Sequence, residues 1–193
     1  MKPLLTRKFI AIRKDHFNNL IKISATVVLG SSVIRVFRPH SKAKLEKALS
    51  GIHIDYLQKV RSQRQFDAWY YRVLDRLSKV LKRTNPQRLN SRIYPGYKWG
   101  HSAKVLNLFL REIVENRRYF KDATVNRIRN YLYVPIDSKV IKAIVNTNTN
   151  IGVRKIKEID SKKKFDEIQK VLRISANQAH CPMIWFDDVW GIE

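Results

Sequence analysis

Two residues of complementary chemistry stand out in the middle of the chain. Lys104 lies in an apolar-patterned segment that begins at His101, and Asp137 directly follows Pro135 and Ile136. A neutral lysine amine is a nucleophile that forms a Schiff base with a carbonyl carbon. A carboxylate can shuttle protons and stabilise a nearby positive charge. The two side chains are therefore candidates for a nucleophile and its acid–base partner, provided that the fold brings them together.

A turn that contains glycine precedes Lys104. The segment Tyr94-Pro-Gly-Tyr-Lys-Trp-Gly100 leads into the helix that is predicted to begin near His101. Backbone N–H groups at the start of a helix have no partner within the helix, so they bind phosphate well. The residues expected to contact phosphate groups are Gly96, Lys98, Trp99, Gly100 and His101.

The third feature is an aromatic and acidic segment near the end of the chain. Cys181-Pro-Met-Ile-Trp-Phe-Asp-Asp-Val-Trp-Gly191 places Trp185 and Trp190 around Asp187 and Asp188. Indole faces can stack on a planar ligand, and a carboxylate can accept hydrogen bonds from the edge of that ligand. The ordinary role of indoles is packing, so the sequence favours a core or hairpin position for Trp69, Trp99, Trp185 and Trp190 over stacking on a ligand. Trp190 is the best candidate for stacking, because it shares its segment with acids that a core would leave unpaired.

The charge of the chain indicates the class of partner. The 193 residues include 39 Lys or Arg and 16 Asp or Glu, for a net charge of +23. Residues 1–150 hold 31 of the basic and nine of the acidic side chains, interleaved with apolar residues. This pattern favours a folded surface with a basic face that binds a polyanion, rather than a charged tail.

Composition excludes several other classes of protein. One cysteine rules out a disulfide framework, and one cysteine with five scattered histidines argues against a structural zinc site, so we expect no metal. No cofactor is expected either. The longest apolar run, residues 23–37, is shorter than the roughly 20 residues that span a bilayer, so no membrane partner is expected.

Apolar periodicity predicts an all-α fold. Three- and four-residue spacing predicts helices from Ser41 to Gly51, from Phe66 to a stop before Asn85-Pro86, and from Ala103 to Ile113. Asp122 and Asp137 are placed as caps of two further helices, another helix is predicted to begin at Ser161, and a last short helix is predicted over residues 185–190. The β-branched stretch from Thr26 to Phe37 predicts a short β element within residues 26–37.

These motifs resemble the helix-hairpin-helix DNA glycosylase superfamily, and above all its archaeal 8-oxoguanine DNA glycosylase branch and the bacterial relatives of that branch. That branch has a catalytic lysine on a helix, a Pro-Val-Asp-like segment about thirty residues later, and an Asp/Trp helix near the end. Lys104 and Asp137 are 33 residues apart, and the resemblance covers roughly residues 66–190. The turn departs from the family pattern, since it reads Pro-Gly-Tyr-Lys-Trp-Gly rather than Pro-Gly-Val-Gly, and Lys98 is an alternative nucleophile.

The resemblance implies a DNA glycosylase that flips an altered base out of double-stranded DNA and excises it, with lyase activity through a Schiff base. Lys104 and Asp137 are then catalytic, and Lys139 joins the DNA-binding residues. The base-binding residues are expected to be Trp190, Asp187, Trp185, Phe109 and Trp69. The alternative is a basic nucleic-acid-binding protein of the same helical fold without catalysis.

The expected organisation is a single compact domain that acts as a monomer. Residues 1–60 form a basic N-terminal helical region, and residues 61–193 form the glycosylase-like region. A cytoplasmic, nucleoid-associated location fits a DNA-repair function. The basic start of the chain also resembles an organellar targeting segment, which stays as the alternative.

Overall fold

The described part of the chain is helical, as the periodicity predicts. The computed structural model describes residues 3–30, 41–82, 88–89, 92–93, 99–116, 119–147 and 150–186. The α-helices are α1 Pro3–Leu29, α2 Ser41–Ser50, α3 Gln63–Lys82, α4 Trp99–Arg111, α5 Asp122–Arg129, α6 Ser138–Asn146 and α7 Lys162–Gln178. Single turns of 3₁₀-helix occupy Ile156–Glu158 and Met183–Trp185, and a longer one occupies Ile54–Lys59. A π-helical turn, Glu112–Asn116, extends α4. The all-α class is therefore confirmed.

The only strands among the described residues are two residues long. Strands β1, Arg88–Leu89, and β2, Arg92–Ile93, form one antiparallel pair. The β element predicted over residues 26–37 is not found where the structure describes that stretch, because residues 26–29 form the last turn of α1. Val28 and Leu29 are buried there. Their packing against the core therefore outweighs the strand propensity of this β-branched stretch. Residues 31–40 lie outside the described part.

One further local prediction is corrected by the structure. The helix α5 begins at Asp122 itself with Lys121 in the capping position, so Asp122 is a first-turn acid rather than the cap. The helix predicted to begin at Ser161 is confirmed as α7, with Ser161 in the N-cap position, although its side chain makes no capping hydrogen bond. Of the last predicted helix, the structure describes the turn Met183–Trp185, and residues 187–193 lie outside the described part.

The N-terminal helices share a core with the rest of the domain. Helix α1 packs on α2 and α4, and α2 packs on α3. Ile21 and Ala25 of α1 are buried in the same cluster as Leu45 of α2 and Phe66 of α3. The division predicted near residue 60 therefore does not separate two cores among the described residues.

Helix α4 runs through the centre of the molecule. Nine of its residues are buried, and it contacts α1, α3 and the turn Ile156–Glu158. Lys104, Leu108 and Arg111 are less buried, and their spacing of four and three residues places them on one side of the helix. This side is where a functional group on α4 can reach other molecules.

No helix in the described residues is long and apolar enough to cross a membrane.

Candidate functional site

Asp137 caps the helix α6. Its backbone is extended, and its Oδ1 accepts hydrogen bonds from the N–H groups of Lys139 at 2.9 Å and Val140 at 3.0 Å. These are two of the four N–H groups that a helix leaves without internal partners at its start. Pro135 suits the extended backbone that leads into the cap, because proline disfavours a helical conformation in the residue before it. The predicted cap of α6 is confirmed.

The second carboxylate oxygen of Asp137 faces Lys104. The distance between Lys104 Nζ and Asp137 Oδ2 is 3.4 Å, so the two residues form an ion pair. The Lys104 side chain is 13% exposed and that of Asp137 is 30% exposed. The amine is thus largely removed from water, and the pair lies at the edge of the core, where a further molecule can reach the carboxylate. The structure therefore brings together the two residues that were predicted to act together.

A buried clamp holds the segment that carries Asp137. The side-chain amide of Gln169, on α7, bonds both backbone groups of Val134: its Oε1 accepts from Val134 N–H at 3.1 Å, and its Nε2 donates to the Val134 carbonyl at 2.8 Å. Asn107 Nδ2 donates to the same carbonyl at 3.0 Å. Because Asn107 lies three residues after Lys104 on α4, the clamp ties the strand-like segment before Asp137 to the helix of Lys104.

Tyr70 completes this arrangement from α3. Its hydroxyl donates to Asn107 Oδ1 at 2.7 Å, which orients the amide so that its NH₂ group points at Val134. Burial raises the pKa of the Tyr70 hydroxyl well above its usual value, so it remains a donor. Tyr70, Asn107 and Gln169 were not predicted as site residues. The sequence could have indicated two of them, because Asn107 and Gln169 are amides on apolar helix faces, where a polar group without a hydrogen bond is costly.

Gly100 has a packing role that the sequence analysis did not anticipate. Its N–H donates to the carbonyl of Ile159 at 2.8 Å, so this N–H group already has an acceptor and is not open to a phosphate. A Cβ atom at this position would lie 2.7 Å from the carbonyl oxygen of Ile156 and 2.8 Å from the Cβ of Ile159. Glycine therefore lets the start of α4 approach the turn that precedes α7.

Two neighbours of Gly100 in the predicted phosphate site pack against the core. His101 is buried, and the half-buried Trp99 packs edge-to-face on Phe165, with ring centroids 5.2 Å apart. Lys139 is exposed at the start of α6, two residues from Asp137. Gly96 and Lys98 lie outside the described residues, so Lys98 stays as the alternative nucleophile.

Of the predicted base-binding aromatic residues, the structure leaves one open to solvent. Phe109 is 0% exposed and Trp69 is 5% exposed, which places both in the core rather than at a surface that a base can reach. Trp185 is 44% exposed. The Arg129 guanidinium lies 5.7 Å from the centroid of its ring and is itself held by the carboxylate of Glu115 at 2.7 and 2.9 Å. Asp187 and Trp190 lie outside the described residues.

A second polar cluster joins α3 to α7 beside the clamp. Tyr133 donates its hydroxyl to Asp67 at 2.8 Å, and Tyr71 donates to Asp166. Burial and the adjacent carboxylates raise the pKa of both tyrosines, which keeps both hydroxyls protonated. Lys162 Nζ lies 4.3 Å from the centroid of the Tyr71 ring and pairs with Asp166. This cluster fixes the two helices that flank Tyr133 and so supports the segment leading to Asp137.

Metal ligands do not cluster in the described ranges, where no group of three or more His, Cys, Asp or Glu side chains could hold a metal ion.

No family model, curated protein or solved structure matches the chain.

Proposed function

We propose that this protein is a DNA glycosylase with lyase activity, in which Lys104 is the nucleophile and Asp137 its acid–base partner. The observation that carries the proposal is the 3.4 Å contact between Lys104 Nζ and Asp137 Oδ2. Groups that share one reaction must converge on one reacting atom, and these two do so although 33 residues separate them.

The proposed chemistry begins when the Lys104 ammonium passes a proton to Asp137 Oδ2. The neutral amine attacks the sugar C1′ of a flipped nucleotide, and the bond between C1′ and the base breaks, with its electron pair leaving on the base. The departing base takes up a proton, for which protonated Asp137 is a source. The adduct then gives a proton from its nitrogen to Asp137, which passes it to the ring oxygen O4′ as the C1′–O4′ bond breaks with its electron pair on O4′, and the nitrogen forms the Schiff base to C1′. Loss of a C2′ proton from the Schiff base then expels the 3′ phosphate and cleaves the strand.

The position of Asp137 supports these roles, with Lys104 as the nucleophile and Asp137 as the acid–base group. Its Oδ1 is occupied by the N–H groups of Lys139 and Val140, so only Oδ2 is available to exchange protons with Lys104. The helix cap therefore fixes the orientation of the carboxylate, and the clamp on Val134 fixes its place along the chain. Preorganisation of this kind lowers the cost of reaching a reactive geometry.

The charge supports a nucleic-acid partner. A net charge of +23 on 193 residues favours binding to a polyanion, and counterion release makes such binding strongly dependent on salt. Double-stranded DNA with an altered base is the proposed substrate, and the exposed Lys139 beside the pair is placed to contact its backbone. Trp185 is exposed to solvent, unlike Phe109 and Trp69, so it is our candidate among these residues to stack on a base.

The second candidate is a nucleic-acid-binding protein without catalysis. It is favoured by the burial of Phe109 and Trp69 and by the occupied N–H of Gly100, because these features give packing roles to residues that were expected to bind DNA. In this case, the pair of Lys104 and Asp137 is a structural ion pair. Binding is then tight and salt-dependent, and no covalent intermediate forms.

Borohydride trapping separates the two candidates. The full-length protein is incubated with borohydride and a panel of duplexes, each with one oxidised, alkylated, deaminated or otherwise modified base, next to an unmodified duplex and a duplex with an abasic site. We expect a covalent adduct with at least one modified duplex, and its mass spectrum to locate the bond at Lys104. Binding without an adduct on any duplex, including the abasic one, favours the second candidate.

A further inference from the structure

A cavity that the proposed reaction does not use lies between the helices α2 and α3. It has a volume of about 390 Å³ and is bounded by the end of α2, the turn at Gly51–His53, the 3₁₀-helix Ile54–Lys59 and one side of α3. Small-molecule sites in proteins begin at about 300 Å³. The space is therefore large enough for an organic ligand.

The wall of this cavity is apolar, and its rim is cationic. Aliphatic side chains of α2, the following turn and α3 form most of the wall, and the aromatic rings of Tyr56 and Trp69 are stacked at one end, with centroids 6.4 Å apart and 11° between their planes. Arg72 and Arg76 also line the cavity, and both are exposed. Four residues separate them on α3, so the two guanidinium groups project from the same side of the helix.

The two guanidinium groups are suited to an anionic group. Arg72 Nε donates to the carbonyl of Ala68 on its own helix, and no acidic residue of the described ranges forms an ion pair with either arginine. The nearby acid Asp75 pairs instead with Lys79. The planar fork of arginine matches a carboxylate with two parallel hydrogen bonds.

The side chains that line the cavity favour a hydrocarbon ligand over a nucleobase. The described residues that line the cavity include no amide or carboxylate side chain, and their polar side-chain groups besides the arginines are those of His53, Tyr56 and the indole N–H of Trp69. A base inserted here would leave most of its donors and acceptors without partners, which is costly in an apolar site. An alkyl chain has no such requirement.

We propose that this cavity binds a single-chain amphiphilic carboxylate, with the alkyl chain between α2 and α3 and the carboxylate at Arg72 and Arg76. The ligand class is that of a medium- or long-chain fatty acid. This site uses neither Lys104 nor Asp137, so the proposal does not depend on the proposed glycosylase reaction.

The test is calorimetric titration of the full chain with straight-chain alkanoates from hexanoate to tetradecanoate, each below its micelle concentration. We expect one ligand per chain. The affinity should rise about fourfold for each added methylene group until the cavity is full, because each group that enters leaves water. Dodecyltrimethylammonium, which has the same tail and the opposite charge, should bind at least tenfold more weakly than dodecanoate.

Matched variants separate this site from general attraction to a basic protein. The double variant Arg72→Gln/Arg76→Gln should lose tenfold or more in affinity for dodecanoate. The variant Arg64→Gln/Lys163→Gln, which removes the same charge from exposed positions of α3 and α7 outside the cavity and leaves the pair of Asp75 and Lys79 in place, should bind as the wild type does. Val73→Trp should block the cavity. Ala48→Leu makes the same test from α2 if the larger substitution prevents folding.

Three results would overturn the proposal. These are an affinity that does not depend on chain length, an equal loss in the two double variants, and tighter binding of a nucleoside monophosphate than of dodecanoate in competition. The last result would instead make the cavity a nucleotide site. Each result is read from binding alone, so a failure here is distinct from a failure of the trapping experiment.

Discussion

Lys104 Nζ lies 3.4 Å from Asp137 Oδ2, while the other oxygen of Asp137 caps the helix α6. One carboxylate thus serves two neighbours, one through each oxygen. The arrangement joins the central helix α4 to the start of α6 and leaves the ion pair partly open to solvent. It also means that capping and catalysis can be tested separately at the same residue.

The first prediction concerns Lys104→Gln. Glutamine keeps a similar length and can still hydrogen-bond to Asp137, but it has no nucleophilic amine. We expect borohydride trapping and strand cleavage to fall by orders of magnitude, while the dissociation constant for duplex DNA changes little, since one charge of a net +23 is lost. Gel-based cleavage assays and fluorescence anisotropy measure the two quantities.

The control is Lys139→Gln, which removes the same charge two residues from Asp137. It should weaken DNA binding modestly, lower the slope of log K against log salt by about one, and leave trapping in place at saturating protein. Full cleavage by the Lys104→Gln protein would exclude this lysine as the nucleophile and direct the search to Lys98.

The second prediction uses Asp137→Asn. Asparagine is as good a helix cap as aspartate, so its Oδ1 can still accept from the N–H groups of Lys139 and Val140. The free energy of unfolding should therefore fall by less than about 1 kcal/mol, since the lost ion pair is partly exposed. Trapping should nevertheless drop strongly, because the amide cannot take a proton from Lys104.

Asp137→Ala provides the comparison. It removes the cap as well as the charge and should cost about 1 kcal/mol more than Asp137→Asn in urea unfolding. Equal activity of the wild type and Asp137→Asn would mean that the carboxylate acts only as a cap.

The third prediction concerns Gln169→Leu. The change leaves the buried N–H of Val134 without its acceptor, although Asn107 still donates to the carbonyl of Val134. An unsatisfied buried group costs about 1–3 kcal/mol, which urea unfolding measures. Gln178→Leu, at the exposed end of the same helix α7, is the matched control and should change stability by less than about 0.5 kcal/mol.

Because Gln169 positions the segment before Asp137, its loss should also lower the trapping rate under conditions where the variant is fully folded. A variant that is less stable but traps at the wild-type rate would limit the clamp to a structural role.

The fourth prediction compares two glycines. In Gly100→Ala the new methyl group would meet the backbone oxygen of Ile156 at 2.7 Å, so α4 or the turn must move. We expect a loss of about 1–3 kcal/mol in the free energy of unfolding. In Gly51→Ala the nearest atom is the Lys47 carbonyl oxygen at 3.4 Å, so stability should be nearly unchanged. Thermal unfolding of both proteins checks the difference, and equal melting temperatures would contradict the close approach at Gly100.

The fifth prediction concerns alkaline pH. Burial, and then the charge of Asp55, raises the pKa of Tyr119 to about 12, whereas a tyrosine in the unfolded chain has a pKa of about 10. The unfolded state therefore loses this proton first. The contribution to stability is fully present below about pH 10 and is lost as the pH rises toward 12.

Tyr119→Phe keeps the ring that packs on Phe17 but removes the titrating hydroxyl. Urea unfolding from pH 8 to pH 11.5 should therefore show a shallower decline for this variant than for the wild type. Parallel declines would show that Tyr119 does not contribute to alkaline unfolding.

Local pattern determined much of the helical framework. The amphipathic spacing of α3, the end of α2 before Gly51 and the cap of α6 at Asp137 depend on neighbours a few residues apart, which are visible in the sequence. The net charge of +23 can likewise be read from the sequence. The local pattern did not determine residues 26–29, because their β-branched character is compatible with a helix once Val28 packs in the core.

The site needed the tertiary structure. The spacing of Lys104 and Asp137 suggested a pair, but their contact depends on three buried side chains from three helices, Tyr70, Asn107 and Gln169. The three- and four-residue spacing does place Phe109 and Trp69 on apolar helix faces, so their burial agrees with the local pattern and not with the expected base binding. In contrast, no local pattern reveals that the N–H of Gly100 donates to the carbonyl of Ile159. The physical reason is range: propensity and capping act within a few residues along the chain, whereas burial and long-range hydrogen bonds depend on which helices meet.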